Sequence, residues 1–202
     1  MTLKKYVDNV KEAKNVKDGV RYFKMIYLMR HGADPVDRYG GWSEYGLTEV
    51  GRSQVNSAKH KLLGKGITGI YSSDLNRAKE TAEIVADVLF LKITYLPQFR
   101  EVNNGLLAGM KKVEAVEKYP GKYFRTLDWA ETWPEGESPE QFFCRIKSAW
   151  YNFKKKVGSR NVLLVTHGGV INIILCLENG ILYTNKELHF KINDAEIIQI
   201  DV

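Results

Sequence analysis

The sequence predicts an α/β fold, a three-layer α/β/α sandwich around a mostly parallel, mixed central sheet. Short apolar runs such as Met25-Ile26-Tyr27-Leu28-Met29 and Val162-Leu163-Leu164-Val165 alternate with stretches whose apolar residues recur at helical spacing. Both runs lead directly into a histidine, in Arg30-His31-Gly32 and Thr166-His167-Gly168-Gly169. In open α/β sheets the crevice beyond the strand carboxyl ends is where ligands bind. The closing segments Leu188 to Ile192 and Glu196 to Ile200 read as β, and Asn193-Asp194 between them predicts an antiparallel hairpin, which makes the sheet mixed.

The elements follow in order. Leu3, Tyr6, Val7, Val10 and Ala13 sit at helical spacing among lysines, so residues 3–17 read as a short amphipathic helix. Its basic stripe reads as a solvated face on a helix packed against the domain, in preference to a membrane or partner surface. After the first strand, Asp34 to Gly46 is a Gly-, Pro- and Asp-rich loop, and Thr48 caps a helix through about Leu63 that Gly64 and Gly66 end. Gly69-Ile70-Tyr71 is a strand, and Ser73 or Asp74 caps a helix buried through Ala78, Ala82, Ile84, Val85 and Val88. Ile93 to Leu96 is a further strand, Met110 to Tyr119 a helix, and Gly121 to Gly136 a loop. Ser138-Pro139-Glu140 starts a helix to about Val157, where Lys154, Lys155 and Lys156 suit the helix dipole without a ligand. A strand over Val162 to Val165 and a helix over Val170 to Leu177 precede the closing segments.

The 202 residues, 44% hydrophobic and 27% charged, supply one core and predict one globular domain over residues 25–202, preceded by a basic, helical extension over residues 1–24. Net charge is +6, of which the extension carries +4, from Lys4, Lys5, Lys11, Lys14, Lys17, Arg21 and Lys24 against Asp8, Glu12 and Asp18. The rest is close to neutral, which argues against a chain-wide nucleic-acid footprint. No apolar run is long enough for a signal peptide or a membrane span. Cys144 and Cys176 lack metal-ligand or redox spacing and read as buried reduced thiols of a cytoplasmic protein.

Arg30 and Arg77 join the two histidines as candidate chemistry. Arg77 falls in the first turn of its helix, at the positive end of the dipole, where a guanidinium fork can grip a tetrahedral oxyanion. Two arginines and two imidazoles around one crevice make a phosphate pocket. A neutral imidazole nitrogen is a competent nucleophile toward phosphorus, and the cations stabilise the oxygens during transfer. His60 and His189 lie in no such context and read as structural residues.

Six segments, in order, resemble the histidine phosphatase (phosphoglycerate mutase-like) superfamily. They are Leu28-Met29-Arg30-His31-Gly32, Gly46-Leu47-Thr48-Glu49-Val50-Gly51-Arg52-Ser53-Gln54 and Tyr71-Ser72-Ser73-Asp74-Leu75-Asn76-Arg77-Ala78-Lys79-Glu80-Thr81-Ala82. Phe99-Arg100-Glu101 with Gly105 and Gly109, Pro134-Glu135-Gly136-Glu137-Ser138, and Thr166-His167-Gly168-Gly169 complete the set. The resemblance implies that His31 is phosphorylated, that Arg30, Arg77 and His167 clamp the phosphoryl group with the Gly168 amide, and that Glu101 is the general acid and base. Asp34, Glu114 and Glu117 compete with Glu101 for that last role. No metal or other cofactor is implied.

Departures from the resemblance bear on substrate choice. Asp34 stands where many relatives have Ser or Thr, and Asp37 where mutases and bisphosphatases have Asn. A carboxylate beside a phosphate is repulsive, so either these point away or the pocket suits a different leaving group. Leu107, Gly105, Gly109, Lys112 and Gly41-Trp42-Ser43-Glu44 resemble mutase segments, yet Val102, Asn103 and Asn104 replace the mutase Arg, His and Tyr. The long basic insertion of mutases is missing as well. Asp34, Arg38, Trp42, Ser43 and Lys112 are candidate specificity residues, and Tyr39, Lys111 and Trp133 are further candidates for contacting the leaving group. The expectation is a phosphatase of small phosphorylated metabolites, a monomer or homodimer that binds neither nucleic acid nor membrane. A phosphoglycerate mutase-type phosphotransferase and a noncatalytic phospholigand-binding module are the alternatives.

Overall fold

The computed structural model describes residues 25–201, so the extension over residues 1–24 and its expected helix lie outside the described residues. Strands β1 (Met25–Arg30), β2 (Gly69–Ser72), β3 (Ile93–Tyr95), β4 (Val162–Thr166) and β5 (Ile197–Asp201) form one sheet in the order β3-β2-β4-β1-β5. Pairings among β1 to β4 are parallel, and β5 runs antiparallel along β1. Helices α1 (Glu49–Ala58), α2 (Asn76–Leu89), α3 (Lys112–Lys118), α4 (Pro139–Val157) and α5 (Gly168–Asn179) lie between the strands in sequence.

Side-chain alternation in the central strands builds both faces. Ile26 and Leu28 of β1, with Val162 and Leu164 of β4, enter a core with α4 and α5 that contains Phe142, Trp150, Phe153, Ile171 and Ile174. Tyr27, Met29, Leu163 and Val165 face the other way, onto Val55 of α1 and Ala78, Ala82 and Val85 of α2. Three layers therefore enclose a sheet buried on both sides, which explains why β1 and β4 read as continuous apolar runs. A smaller cluster of Leu107, Ala115, Leu127 and Trp133 supports the excursion between β3 and α4.

This topology creates the crevice. β1 and β4 are adjacent and parallel, with Arg30 opposite Thr166, yet the chain leaves β1 for the α1 layer and β4 for the α5 layer. Their carboxyl ends are thus uncovered between diverging connections.

Several local expectations match. Thr48 caps α1 by accepting from the Gly51 amide, and Ser138 and Gln141 form a reciprocal capping box on α4 with Pro139 in the first turn. Others need correction. Neither Ser73 nor Asp74 caps α2, whose N-cap is Leu75 without a side-chain bond, because Ser73 Oγ meets His167 Nε2 at 2.8 Å and Asp74 pairs with Arg100. Leu188 to Ile192 is not a strand and no closing hairpin forms. The Phe190 amide donates to Asn172 Oδ1, and the Ile192 carbonyl accepts from Arg30 at 2.6 Å, so this segment wraps the crevice instead of pairing. The sheet is still mixed, because β5 pairs with β1. Cys176 is buried, but Cys144 is exposed on α4.

Candidate active site

His31 and His167 follow paired strand ends directly, and their ring centroids lie 5.1 Å apart. Both are almost wholly buried, as is Arg77. The His31 amide donates to Thr166 O, and His31 Nδ1 lies 2.7 Å from Gly32 O. A carbonyl only accepts, so Nδ1 carries the proton and Nε2 presents a lone pair. Arg77 Nε donates to that lone pair at 3.2 Å. Burial, and next the cations Arg77 and Arg30, hold the His31 pKa well below the ordinary histidine value. Burial and the same two arginines do likewise for His167. Both rings are therefore neutral at pH 7.

The loop carrying His31 is fixed by motif residues whose function was not legible individually. Thr48 donates twice to Ala33 O, from its amide and its hydroxyl, while the Gly32 amide donates to Thr81 Oγ1 and the Ala33 amide to Gln54 Oε1. A Cβ on Gly51 would stand 2.2 Å from Ala33 O, so a glycine is required for α1 to approach this loop.

Glu101 reaches the site from the irregular segment after β3. Its Oε2 accepts from the Gly169 amide at 3.0 Å and its Oε1 from the Val102 amide at 3.0 Å. The carboxylate thus sits on the first turn of α5. Gly169 permits this, since a Cβ there would come within 2.4 Å of Glu101 Oε1. Arg145 of α4 holds the segment from behind by donating to the carbonyls of Gln98, Arg100 and Glu101 and pairing with Glu137, which accepts from the Asn103 amide. Sequence reasoning missed Arg145, because the carbonyls it holds lie more than forty residues away and no local pattern marks it.

Two chambers meet at Arg30, His31 and Glu101. One, of about 470 Å³, is lined by Gly168, Gly169 and the wrap from Leu188 to Asp194; the other, of about 280 Å³, by Asp34, Arg38, Gly41, Arg77 and Lys112. Glu114 and Glu117 line neither, which removes them as substitutes for Glu101.

The guanidinium forks are arranged differently from the expectation. Arg77 directs Nη2 to Gly41 O at 2.7 Å and Nη1 to Ser43 Oγ at 3.4 Å. Arg30 directs Nη1 to Ile192 O and Nη2 to Asp194 at 2.8 Å. Both forks engage protein, and it is Arg77 Nε that faces His31. Arg30 Nε and His167 Nδ1 are buried without a partner among the described residues. Arg30 lines both chambers, where an anion's oxygen would satisfy its orphaned Nε, whereas His167 lines neither and adjoins them through His31 and Gly168.

A family model for the histidine phosphatase superfamily (branch 1) matches residues 26–202. The chain belongs to that superfamily. Curated relatives of this superfamily member include proteins of Erwinia tasmaniensis and Yersinia pestis, both described as a probable phosphoglycerate mutase GpmB. Each is 29% identical, with 87% of this chain and 84% of the relative covered. The mycobacterial glucosyl-3-phosphoglycerate phosphatase structure superposes with a TM-score of 0.73 at 25% identity, covering 87% of this chain and 89% of that one. The alpha-ribazole phosphatase of Shigella flexneri shares the fold, with a TM-score of 0.78 at 22% identity over 88% of this chain and 90% of its own.

The candidate specificity residues divide in this superfamily member. Asp34 and Lys112 line the smaller chamber, as does Arg38, whose guanidinium lies over Tyr45 and donates to Gly109 O. Ser43 is buried behind Arg77, and Trp42 Nε1 donates to the Glu101 carbonyl beneath the Arg100 guanidinium, so both brace the site. Trp133 does not reach a leaving group. It is buried with Leu107 and Leu127, and Tyr39 packs edge-on against it. Lys111 is exposed and lines neither chamber. Of the two departing carboxylates, Asp37 is 67% exposed and points away, whereas Asp34 is 21% exposed and reaches Arg77 Nε at 3.4 Å.

Proposed function

We propose that this chain is a phosphomonoesterase that hydrolyses small phosphorylated metabolites through a phosphohistidine at His31, without a metal or other cofactor. The observation that carries the reading is the orientation of His31, with Nδ1 on Gly32 O and Nε2 toward Arg77, in a cavity that Glu101 shares. In the first step Nε2 attacks phosphorus while the ester P–O bond breaks, and Glu101 gives its proton to the departing oxygen. Arg30, Arg77, His167 and the Gly168 amide hold the other phosphoryl oxygens. Glu101 then takes a proton from water, whose oxygen attacks phosphorus, and the P–N bond breaks to return neutral His31. Gly32 O stabilises the positive ring of the intermediate through Nδ1–H. Chambers of these volumes suit a small ester.

The test is phosphate release from a labelled aryl phosphate with a chelator present, together with quenching in alkaline detergent to trap labelled protein. Release and an acid-labile label, both lost in His31→Ala, are expected; normal release in that variant would sink the nucleophile assignment. A phosphoglycerate mutase is the second reading, favoured by the names of the curated relatives. Interconversion of phosphoglycerates without net phosphate release would establish it. Phospholigand binding without turnover would instead favour a noncatalytic module, against which the intact set of Arg30, His31, Arg77, Glu101 and His167 argues.

A further inference from the structure

Arg77 has one N–H facing the reacting nitrogen. Its Nη groups are held by Gly41 O and Ser43 Oγ, and its Nε lies 3.2 Å from His31 Nε2 and 3.4 Å from Asp34 Oδ2. A tetrahedral oxyanion seated at His31 Nε2 needs that same N–H. Asp34 therefore stands where an anion oxygen would bind. Arg77 of α2 and Arg30 of β1 favour its charged form, while Asp194 of the wrap before β5 opposes it. Burial is the strongest influence and raises the Asp34 pKa from its ordinary value. Arg38, Lys112, Glu101 and His31 line the same chamber, but Arg38 and Lys112 direct hydrogen bonds to Gly109 O and Val36 O.

We propose that Asp34 is an internal competitor for the phosphate subsite: its carboxylate holds the Nε edge of Arg77 in the free protein, and a dianion binds only as Asp34 takes a proton and gives up that edge. The inference rests on the phosphate-ester reading above and adds a control to it. Anion binding is coupled to proton uptake, so the site favours phosphorylated ligands more strongly as pH falls. Asp34 thereby determines specificity by penalising a full dianion at neutral pH, an effect that a neutral side chain at this position would not exert.

Calorimetric titration of the full chain with sulfate tests this, because sulfate stays dianionic from about pH 5 to 8 and binds without turnover. At about pH 8, Asp34→Asn is expected to bind sulfate at least about tenfold more tightly than wild type, the scale of removing one like charge at contact distance. That gap closes as pH falls and Asp34 takes up a proton. Wild type is expected to absorb protons on binding, read from the buffer dependence of the heat, and Asp34→Asn to absorb fewer. Asp34→Ser is the second variant, and the wild-type proton uptake needs no variant to fold. Equal or weaker binding by both variants, a gap independent of pH, or no wild-type proton uptake overturns the proposal. If aryl phosphate is hydrolysed through His31 and sulfate binding ignores Asp34, this inference alone fails. If wild type neither binds sulfate nor hydrolyses the ester, the phosphatase reading fails with it.

Discussion

Replacing Gly169 with alanine isolates the proton-transfer role proposed for Glu101. The new Cβ would lie 2.4 Å from Glu101 Oε1 and 3.2 Å from Oε2, whereas ordinary carbon–oxygen contacts start near 3.4 Å. The carboxylate must retreat by about 1 Å, and the 3.0 Å bond from the Gly169 amide to Oε2 is strained or lost. A displacement of about 1 Å at a catalytic group costs on the order of 10²-fold in rate. Gly169 is the second residue of α5 and the clash falls on the end of a flexible side chain, so global unfolding is not the expected consequence. The assay is kcat/KM for an activated nitrophenyl ester and for an unactivated alkyl phosphate. This parameter reports the first half-reaction, in which an alkoxide needs a proton and a nitrophenolate hardly does. The alkyl ester is expected to lose on the order of 10²-fold and the nitrophenyl ester less than about tenfold, with Glu101→Gln reproducing the pattern. Equal losses for the two esters would refute the general-acid assignment, and no loss for either would refute the steric reasoning.

Two further predictions concern stability. Arg145→Met removes the donors to three carbonyls and leaves the mostly buried Glu137 carboxylate without its cation, with only the Asn103 amide among the described residues to hold it; a loss of about 2 kcal/mol in urea unfolding is expected, together with a lower kcat for alkyl esters. Unchanged stability would remove Arg145 as the support of the Glu101 segment. Folded-state pKa values of His31 and His167 lie below the unfolded value near 6.5, so below that pH the unfolded chain binds the extra protons. Their contribution is full above about pH 6.5 and is lost as pH falls through it. The melting temperature should therefore drop between about pH 7.5 and 5, with a shallower slope in His167→Asn; equal slopes would refute burial of a neutral His167.

Much of the fold and the centre of the site could be read from sequence because they depend on local signals. Buried parallel strands read as apolar runs, and a motif attached to such a run is placed at a strand end by the chain itself. His31 and His167 were legible in this way and Arg77 from its place in the first turn of α2, while Glu101 rested on family resemblance. The failed expectations are those in which a tertiary partner outbid a local one. Ser73 and Asp74 have good capping side chains, yet His167 and Arg100 hold them. The segment from Leu188 to Ile192 has the composition of a strand, but Arg30 and Asn172 take its backbone groups at the crevice. Trp133 lies in an irregular excursion that offers no period from which to read its burial, whereas burial of Cys144 is expected from its residue type although the period of Phe142, Ile146, Ala149 and Phe153 turns it outward on α4.

The pair Asp34 and Asp37 shows where the limit falls. Both interrupt the family pattern in the same loop, and both carry the same charge, so the sequence assigns them one shared question. Their answers are opposite: Asp37 extends into solvent, while Asp34 turns back onto Arg77. The difference arises from the path of Pro35 to Gly41, which the Tyr39 amide and carbonyl pin to Met110 O and the Gly109 amide, residues seventy positions downstream. Motifs adjoining strands therefore give the chemistry of this site, whereas long-range backbone pairing decides which loop carboxylate enters it. Substrate choice belongs to the second kind of information. For that reason the orientation of Asp34, more than any motif, carries the proposed anion preference, and sulfate titration of Asp34→Asn is its test.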